Sequence, residues 1–174
     1  MPGVWAPRRP LTALFFWFAG LAFVGVALVF SSPAIDYRLV MAGAVLPVVE
    51  WGWGPWLLHT LLASVVAMAL VMVVWRGRRV LQRRWLAVPI GMFCHLVLDG
   101  TWTEKELFWW PLFGSSFGTS GAPESGRSMA VLVVMEVVGV LALWWAIRRF
   151  DLTDPDRRSV FLRTGRLDRA LVGG

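Results

Sequence analysis

His95 and Asp99 are the polar residues best placed for chemistry, because they lie four positions apart in a stretch, residues 85–100, that is otherwise almost wholly apolar. Residues four apart on a helix share one face. A carboxylate close to the hydrocarbon of a membrane is costly and needs a partner. The pair therefore indicates half of a metal site or an acid–base pair, and the other half must come from elsewhere in the chain.

Polar residues upstream of this pair are candidates for the other half. His59 begins a second apolar stretch, and Glu50 lies nine residues before it. Asp36, a further candidate carboxylate, and Arg38 lie closer to the N-terminus. Histidines with carboxylates make the nitrogen and oxygen ligand set that zinc and similar divalent ions accept. An ion with an open coordination position acidifies its bound water, which supports hydrolysis.

The candidates divide into a ligand set and two helpers. His59, His95 and Asp99 are the predicted metal ligands. Glu50 is predicted to be a fourth ligand or the general base, and Arg38 a cation that neutralises a phosphate. A purely structural cluster stays open as the alternative, because polar residues are common at the wet ends of membrane helices.

Glu136 is a separate candidate, because it lies inside the apolar run 131–140. An acid within a membrane helix is a functional candidate by default and requires a partner. Two interpretations stay open: a contact with His95, or a hydrogen bond to another helix that only stabilises the fold.

Composition places the chain among integral membrane proteins. Of its 174 residues, 57% are hydrophobic, and the mean hydropathy is +0.64, above what soluble domains usually carry. The one cysteine, Cys94, excludes an internal disulfide framework. The arginine excess is explained by membrane topology, so no nucleic-acid partner is predicted.

Four apolar stretches organise the chain, and about 20 residues are needed to cross a bilayer. They cover residues 11–30, 57–75, 85–100 and 129–147. The apolar segment Leu39–Val49 is too short to cross and is predicted to be a re-entrant or interfacial helix. The expected fold is all-α: a polytopic bundle of four transmembrane helices over residues 1–150, followed by a basic cytoplasmic tail over residues 151–174.

Basic residues predict the orientation of this bundle. Arginines lie before the first stretch, throughout residues 76–84 and after the fourth stretch, whereas only Arg38, Lys105 and Arg127 lie in the other two connections. Because basic loops stay in the cytoplasm, both termini are predicted to be cytoplasmic in a multi-pass protein of the plasma (inner) membrane. The connections before the second and fourth stretches are predicted to lie outside, near the outer leaflet.

Around the candidate ligands the chain resembles the YdjM-like family of membrane-bound metal-dependent hydrolases of bacterial inner membranes. That family is thought to share distant ancestry with zinc-dependent phospholipase C and P1-type nucleases. The resemblance covers roughly residues 36–114 and rests on three segments, the first similar to a Gly…Leu-Pro-Asp-x-Asp/Glu motif, the second to a His-Ser/Thr pair and the third to Ser-His-Leu-Leu-Leu-Asp. Here they read Gly43-Ala-Val-Leu-Pro47-Val-Val-Glu50, His59-Thr60 and Cys94-His95-Leu-Val-Leu-Asp99.

The resemblance implies a divalent metal ion, zinc first, and hydrolysis of an ester or phosphoester, with a membrane lipid as substrate or partner. The chain departs from the family pattern twice. Val48 stands where the family usually has its first Asp after the proline, and no histidine occurs near Asp36. These departures favour the alternative function, a non-catalytic accessory subunit or lipid-binding scaffold that keeps the polar cluster for stability.

Overall fold

The computed structural model describes residues 14–52, 57–112 and 127–172. This part of the chain is helical and contains no strand, which confirms the all-α prediction. Its α-helices are, in chain order, α1 Phe15–Phe30, α2 Tyr37–Val45, α3 Leu61–Val74, α4 Arg79–Trp85, α5 Ala87–Asp99, α6 Lys105–Phe108, α7 Met129–Arg149, α8 Pro155–Thr164 and α9 Arg169–Val172. Three 3₁₀ segments connect some of them: Leu46–Gly52, Leu57–His59 and Thr101–Thr103.

The predicted apolar stretches fold as helices with shifted boundaries. Residues 11–13 of the first stretch lie outside the described residues, and the third stretch becomes α5 only from Ala87, after the separate arginine-rich helix α4. Among the described helices, α7 alone is both long and apolar enough to cross a membrane, while α1 and α3 are apolar but shorter. Helix length therefore establishes one candidate span, and the other three crossings are not established.

Helices α1 and α7 lie side by side and run in the same direction. Near the start of α1, the Trp17 N–H donates to Glu136 Oε2 at 2.9 Å. Further along both helices, the rings of Phe23 and Phe150 lie 5.8 Å apart. Between these contacts, Gly20 of α1 and Gly139 of α7 bring the two backbones together, a type of crossing that membrane helices favour. The two helices therefore begin at one end of the bundle.

Helix α2 runs through the core beside α5, in the same direction. The two helices cross at Gly43 and Gly91, where a Cβ on either glycine would collide with the backbone of the other helix. Past the crossing, the Ala44 carbonyl reaches His95 of α5. The segment Leu39–Val49, predicted to be a re-entrant or interfacial helix, thus forms most of α2 and the start of the next 3₁₀ segment. Glycine on both sides of the crossing allows α2 to pack inside the bundle, which does not suit a helix lying on the surface.

The helix directions give the bundle two ends. We call them the histidine end, where α1, α3 and α7 begin and α5 finishes, and the arginine end, where α2 and α4 begin and α7 finishes. Asp36 and Arg38 lie at the arginine end, since the Arg84 Nε donates to Asp36 Oδ2 at 3.1 Å and Arg38 Nη2 donates to the same oxygen at 3.0 Å.

This arrangement corrects two predictions about topology. The described part of the 31–56 connection, residues 31–52, does not stay at one end, because α2 carries the chain from the arginine end to the histidine end. The start of α1 and the finish of α7, which the sequence analysis places together on the cytoplasmic side, lie at opposite ends of the bundle. The apolar segment that was too short to count as a span is the reason for both differences.

The C-terminal residues fold back onto the arginine end. Phe161 of α8 is buried with its ring 5.8 Å from that of Phe23. The Tyr37 N–H donates to the Gly165 carbonyl at 2.8 Å. The predicted basic tail is therefore packed against the bundle over its described part.

The exterior of the bundle is strongly apolar along α3 and α7. Only Leu132, Gly139 and Ala146 of α7 are buried, and only Ser64 of α3. The exposed remainder is mainly valine, leucine, methionine and tryptophan. Soluble monomers rarely expose an apolar surface of this extent, which suits contact with lipid or another protein.

Candidate metal centre

Two structural elements position the three candidate ligands, a 3₁₀ turn and helix α5. His59 closes the 3₁₀ turn Leu57–His59, and the next residue, Thr60, caps α3 by accepting from the Ala63 N–H at 3.1 Å. This cap explains why the His-Thr pair stands where a turn becomes a helix. His95 lies in α5, and Asp99 is the last residue of that helix. Because α3 and α5 are antiparallel neighbours, the three side chains meet at the histidine end.

The three side chains form a buried group that could hold a metal ion. His59, His95 and Asp99 are each fully buried, and one potential ligand atom from each lies within 4.8 Å of the others. The two histidine Nε2 atoms are 3.3 Å apart. Two nitrogen ligands at about 2.0–2.1 Å from one tetrahedral zinc ion lie about 3.3–3.4 Å apart. The pair of imidazoles is therefore already spaced as two ligands of a single ion.

The other nitrogen of each imidazole is held by an acceptor. His95 Nδ1 lies 2.7 Å from the Ala44 carbonyl, and because a carbonyl only accepts, this nitrogen carries the proton. His59 Nδ1 lies 3.2 Å from Glu50 Oε2, a carboxylate that also accepts. The two Nε2 atoms face each other at 3.3 Å, at a distance where one can donate to the other or both can bind one ion. Metal-binding histidines are usually oriented in this way, by a carbonyl or carboxylate on the second nitrogen.

Glu50 orients His59 from behind. Its Oε2 accepts from the Leu58 N–H at 2.8 Å as well as from the imidazole, so the carboxylate is held by two donors. It contacts Nδ1, whereas the candidate ligand atom is Nε2. The geometry favours Glu50 as a residue that positions a ligand over the predicted role of fourth ligand.

Asp99 is held by residues that the sequence analysis did not assign to the site. The Thr101 hydroxyl donates to Asp99 Oδ2 at 2.9 Å. Arg127, just before α7, donates to the Asp99 backbone carbonyl at 2.6 Å and lies 3.5 Å from Oδ1. The guanidinium compensates the charge of a buried carboxylate, which would otherwise be costly. No spacing pattern links these positions, because Arg127 reaches Asp99 from 28 residues away.

Phe18 forms the wall of the centre on the α1 side. Its ring centroid is 3.9 Å from that of His95, with the ring planes tilted by 31°. The ring is fully buried, so this face of His95 is shielded from water. Nothing in the apolar first stretch distinguishes Phe18 from its neighbours before the helices are packed.

Three other candidates lie away from the centre. Asp36 and Arg38 pair with each other at the arginine end, opposite the histidine end where the centre lies. The predicted roles of Asp36 as a site carboxylate and of Arg38 as a phosphate partner are therefore wrong. Glu136 contacts the backbone of α1 at Trp17, which corresponds to the structural interpretation and not to the His95 contact.

No protein-family model matches the chain, and neither does any curated protein or solved structure. The class of site is therefore defined by its own chemistry: a buried pair of pre-oriented imidazoles beside a carboxylate, at one end of a helical bundle.

Proposed function

We propose that the chain is a metal-dependent hydrolase of the membrane, with zinc held by His59, His95 and Asp99, acting on a phosphoester. The observation that carries the proposal is the 3.3 Å separation of two Nε2 atoms whose rings are each fixed through Nδ1. The two Nε2 atoms can share one proton in a hydrogen bond or bind one cation between them, and zinc is the common ion for such a donor set. The resemblance to the YdjM-like hydrolases points in the same direction.

The proposed location is the plasma membrane, with α1, α3, α5 and α7 crossing it and α2 inside the bundle. The apolar exterior of α3 and α7 supports this placement. The arginine-rich helix α4, the end of α7 and helix α8 all lie at the arginine end, which the positive-inside rule assigns to the cytoplasm. The metal centre then lies towards the outer leaflet.

Several residues around the centre have separate roles in the proposed hydrolysis. A bound zinc ion would supply a water of lowered pKa and a Lewis acid. Glu50 holds the His59 ring in position, and the Ala44 carbonyl does the same for His95. Among the described residues, Arg127 is the cation paired with a ligand, at 24% side-chain exposure, so it takes the role of phosphate partner that was predicted for Arg38.

A second candidate function is a non-catalytic accessory subunit or lipid-binding scaffold. The observation that favours it is the satisfaction of Asp99 by Thr101 and Arg127, which is the pattern of a structural network. Such a network would be stable without an ion, so metal content separates the two functions.

The test is elemental analysis of the full chain purified in detergent without chelators. One zinc ion per chain is expected in the wild type and in Cys94→Ser, a neighbour of His95 that faces away from the centre. His95→Ala and Asp99→Asn should lose the ion and the zinc-dependent hydrolysis of p-nitrophenyl phosphate. Absence of stoichiometric metal, together with unchanged stability after chelation, would overturn the hydrolase and support the scaffold.

A further inference from the structure

Two basic segments that are far apart in the sequence meet at the arginine end. Helix α4 and the turn before it hold five arginines and no acidic residue between residues 76 and 84. Asp36 connects this segment to α8. It accepts from Arg84 Nε at 3.1 Å and from Arg38 Nη2 at 3.0 Å, and the Arg38 guanidinium also donates to the Leu162 carbonyl of α8. The C-terminal end of α8 therefore lies beside α4.

The positive charge of this region is not balanced by nearby acids. We call its exposed arginines the arginine surface: Arg79, Arg83 and Arg84 of α4, with Arg163 and Arg166 at the end of α8 and just after it. Within the described residues, Arg84 is the one member of this surface in an ion pair, and it shares its partner with Arg38. Arg79 and Arg83 are four positions apart on one helix face, where like charges repel. An anion bound beside them would relieve this repulsion.

Exposed tryptophans lie at the same end of the bundle. Helix α7, the candidate span, finishes here, with Trp144 and Trp145 exposed in its last two turns. Trp85 is exposed at the end of α4, directly after the basic segment. Because tryptophan is enriched in the headgroup layer of a membrane, these indoles indicate that lipid headgroups lie at the level of the arginine surface.

We propose that the arginine surface binds the headgroup phosphate of an anionic phospholipid in the leaflet that this end faces. Arginines that act only as topology signals need no common position, whereas these come from segments about 80 residues apart and converge. A guanidinium pairs with a phosphate through two parallel N–H donors. Each basic residue near an anionic membrane surface adds about fivefold in affinity. The proposal requires a membrane at this end of the bundle, and it does not involve the metal centre at the histidine end.

The test titrates the full chain in dodecyl maltoside micelles with phosphatidylglycerol, and native mass spectrometry counts the lipids bound per chain. The variant is Arg79→Gln with Arg83→Gln, which removes two charges from the arginine surface. Its Kd for the first phosphatidylglycerol should rise about 25-fold. The matched control is Arg148→Gln with Arg149→Gln, which removes two exposed charges from the end of α7, a helix that packs against α1. The control should keep the wild-type Kd.

Three comparisons decide whether the lipid phosphate is the ligand. Wild type should bind phosphatidylcholine, which has no net charge, more weakly than phosphatidylglycerol. Equal binding of the two lipids, or an equal rise in Kd in the variant and the control, would overturn the proposal. Displacement of phosphatidylglycerol by millimolar inorganic phosphate would indicate a site for a free anion and would overturn the lipid as occupant.

Zinc removal and thermal unfolding separate this surface from the metal centre and from the fold. Chelation should leave the Kd for phosphatidylglycerol unchanged, whether or not the proposed hydrolase holds zinc. Loss of lipid binding on chelation would assign the lipid to the centre and overturn the arginine surface. Arg79→Gln with Arg83→Gln should unfold at the wild-type temperature, because both side chains are exposed, so its weaker lipid binding would not come from misfolding.

Discussion

Replacing Glu50 by glutamine should weaken zinc binding without removing a ligand. The Glu50 carboxylate is mostly buried, with 13% of the side chain exposed, and one oxygen holds both the His59 ring and the Leu58 N–H. Glutamine keeps one acceptor oxygen but loses the negative charge that makes the imidazole a better ligand. Loss of such an outer partner typically costs 10–100-fold in metal affinity, or about 1.4–2.7 kcal/mol of binding free energy.

Competition between the protein and a fluorescent zinc chelator measures this change directly. Glu106→Gln is the matched control, because Glu106 is an exposed carboxylate on the neighbouring helix α6. The control should bind zinc as the wild type does. Unchanged zinc affinity in Glu50→Gln would refute the orienting role, and lost hydrolysis at unchanged affinity would instead assign Glu50 as the general base.

Two further predictions follow from the packing of the helices. Glu136→Leu should lower the free energy of unfolding by about 1–3 kcal/mol, because the Trp17 N–H of α1 loses its acceptor. Glu136→Gln should lower it by only about 0.3–1 kcal/mol. Steric trapping in detergent measures both changes, and loss of zinc from Glu136→Gln would contradict a structural role. In a Cys94→Ser background, Ala34→Cys and Gln82→Cys should react with an impermeant thiol reagent from the same side of the membrane, because α2 and α4 begin at the arginine end. Glu104→Cys should react from the opposite side, because α5 finishes at the histidine end. Labelling of Ala34→Cys and Glu104→Cys from one side would restore the arrangement expected from the sequence.

The helices could be predicted because their signals are local. Long apolar stretches bounded by arginines or by glycine and proline indicate helices whatever their neighbours are. The shared face of His95 and Asp99 likewise follows from helical geometry alone. His59 joined them in the prediction because antiparallel neighbouring stretches bring the start of one to the level of the end of the next.

The path of α2 could not be predicted in the same way. Its apolar segment is short, and a crossing there would also reverse the charge pattern of the later connections, so both length and charge argued against a span. Gly43 and Gly91 have no special meaning until the two helices touch, and then each is the only residue type that the crossing admits. An error at this one segment moved Asp36 and Arg38 to the wrong end of the predicted bundle.

By itself, the sequence determined the all-α class and the residues of the candidate centre, His59, His95 and Asp99, because both depend on spacing along a helix. Only the tertiary structure decided which groups surround that centre and which lie elsewhere. Arg127 joins Asp99 across 28 positions, and Arg84 joins Asp36 across 48. Contacts over such separations depend on how the whole chain packs, and no local rule of spacing or hydropathy contains that information.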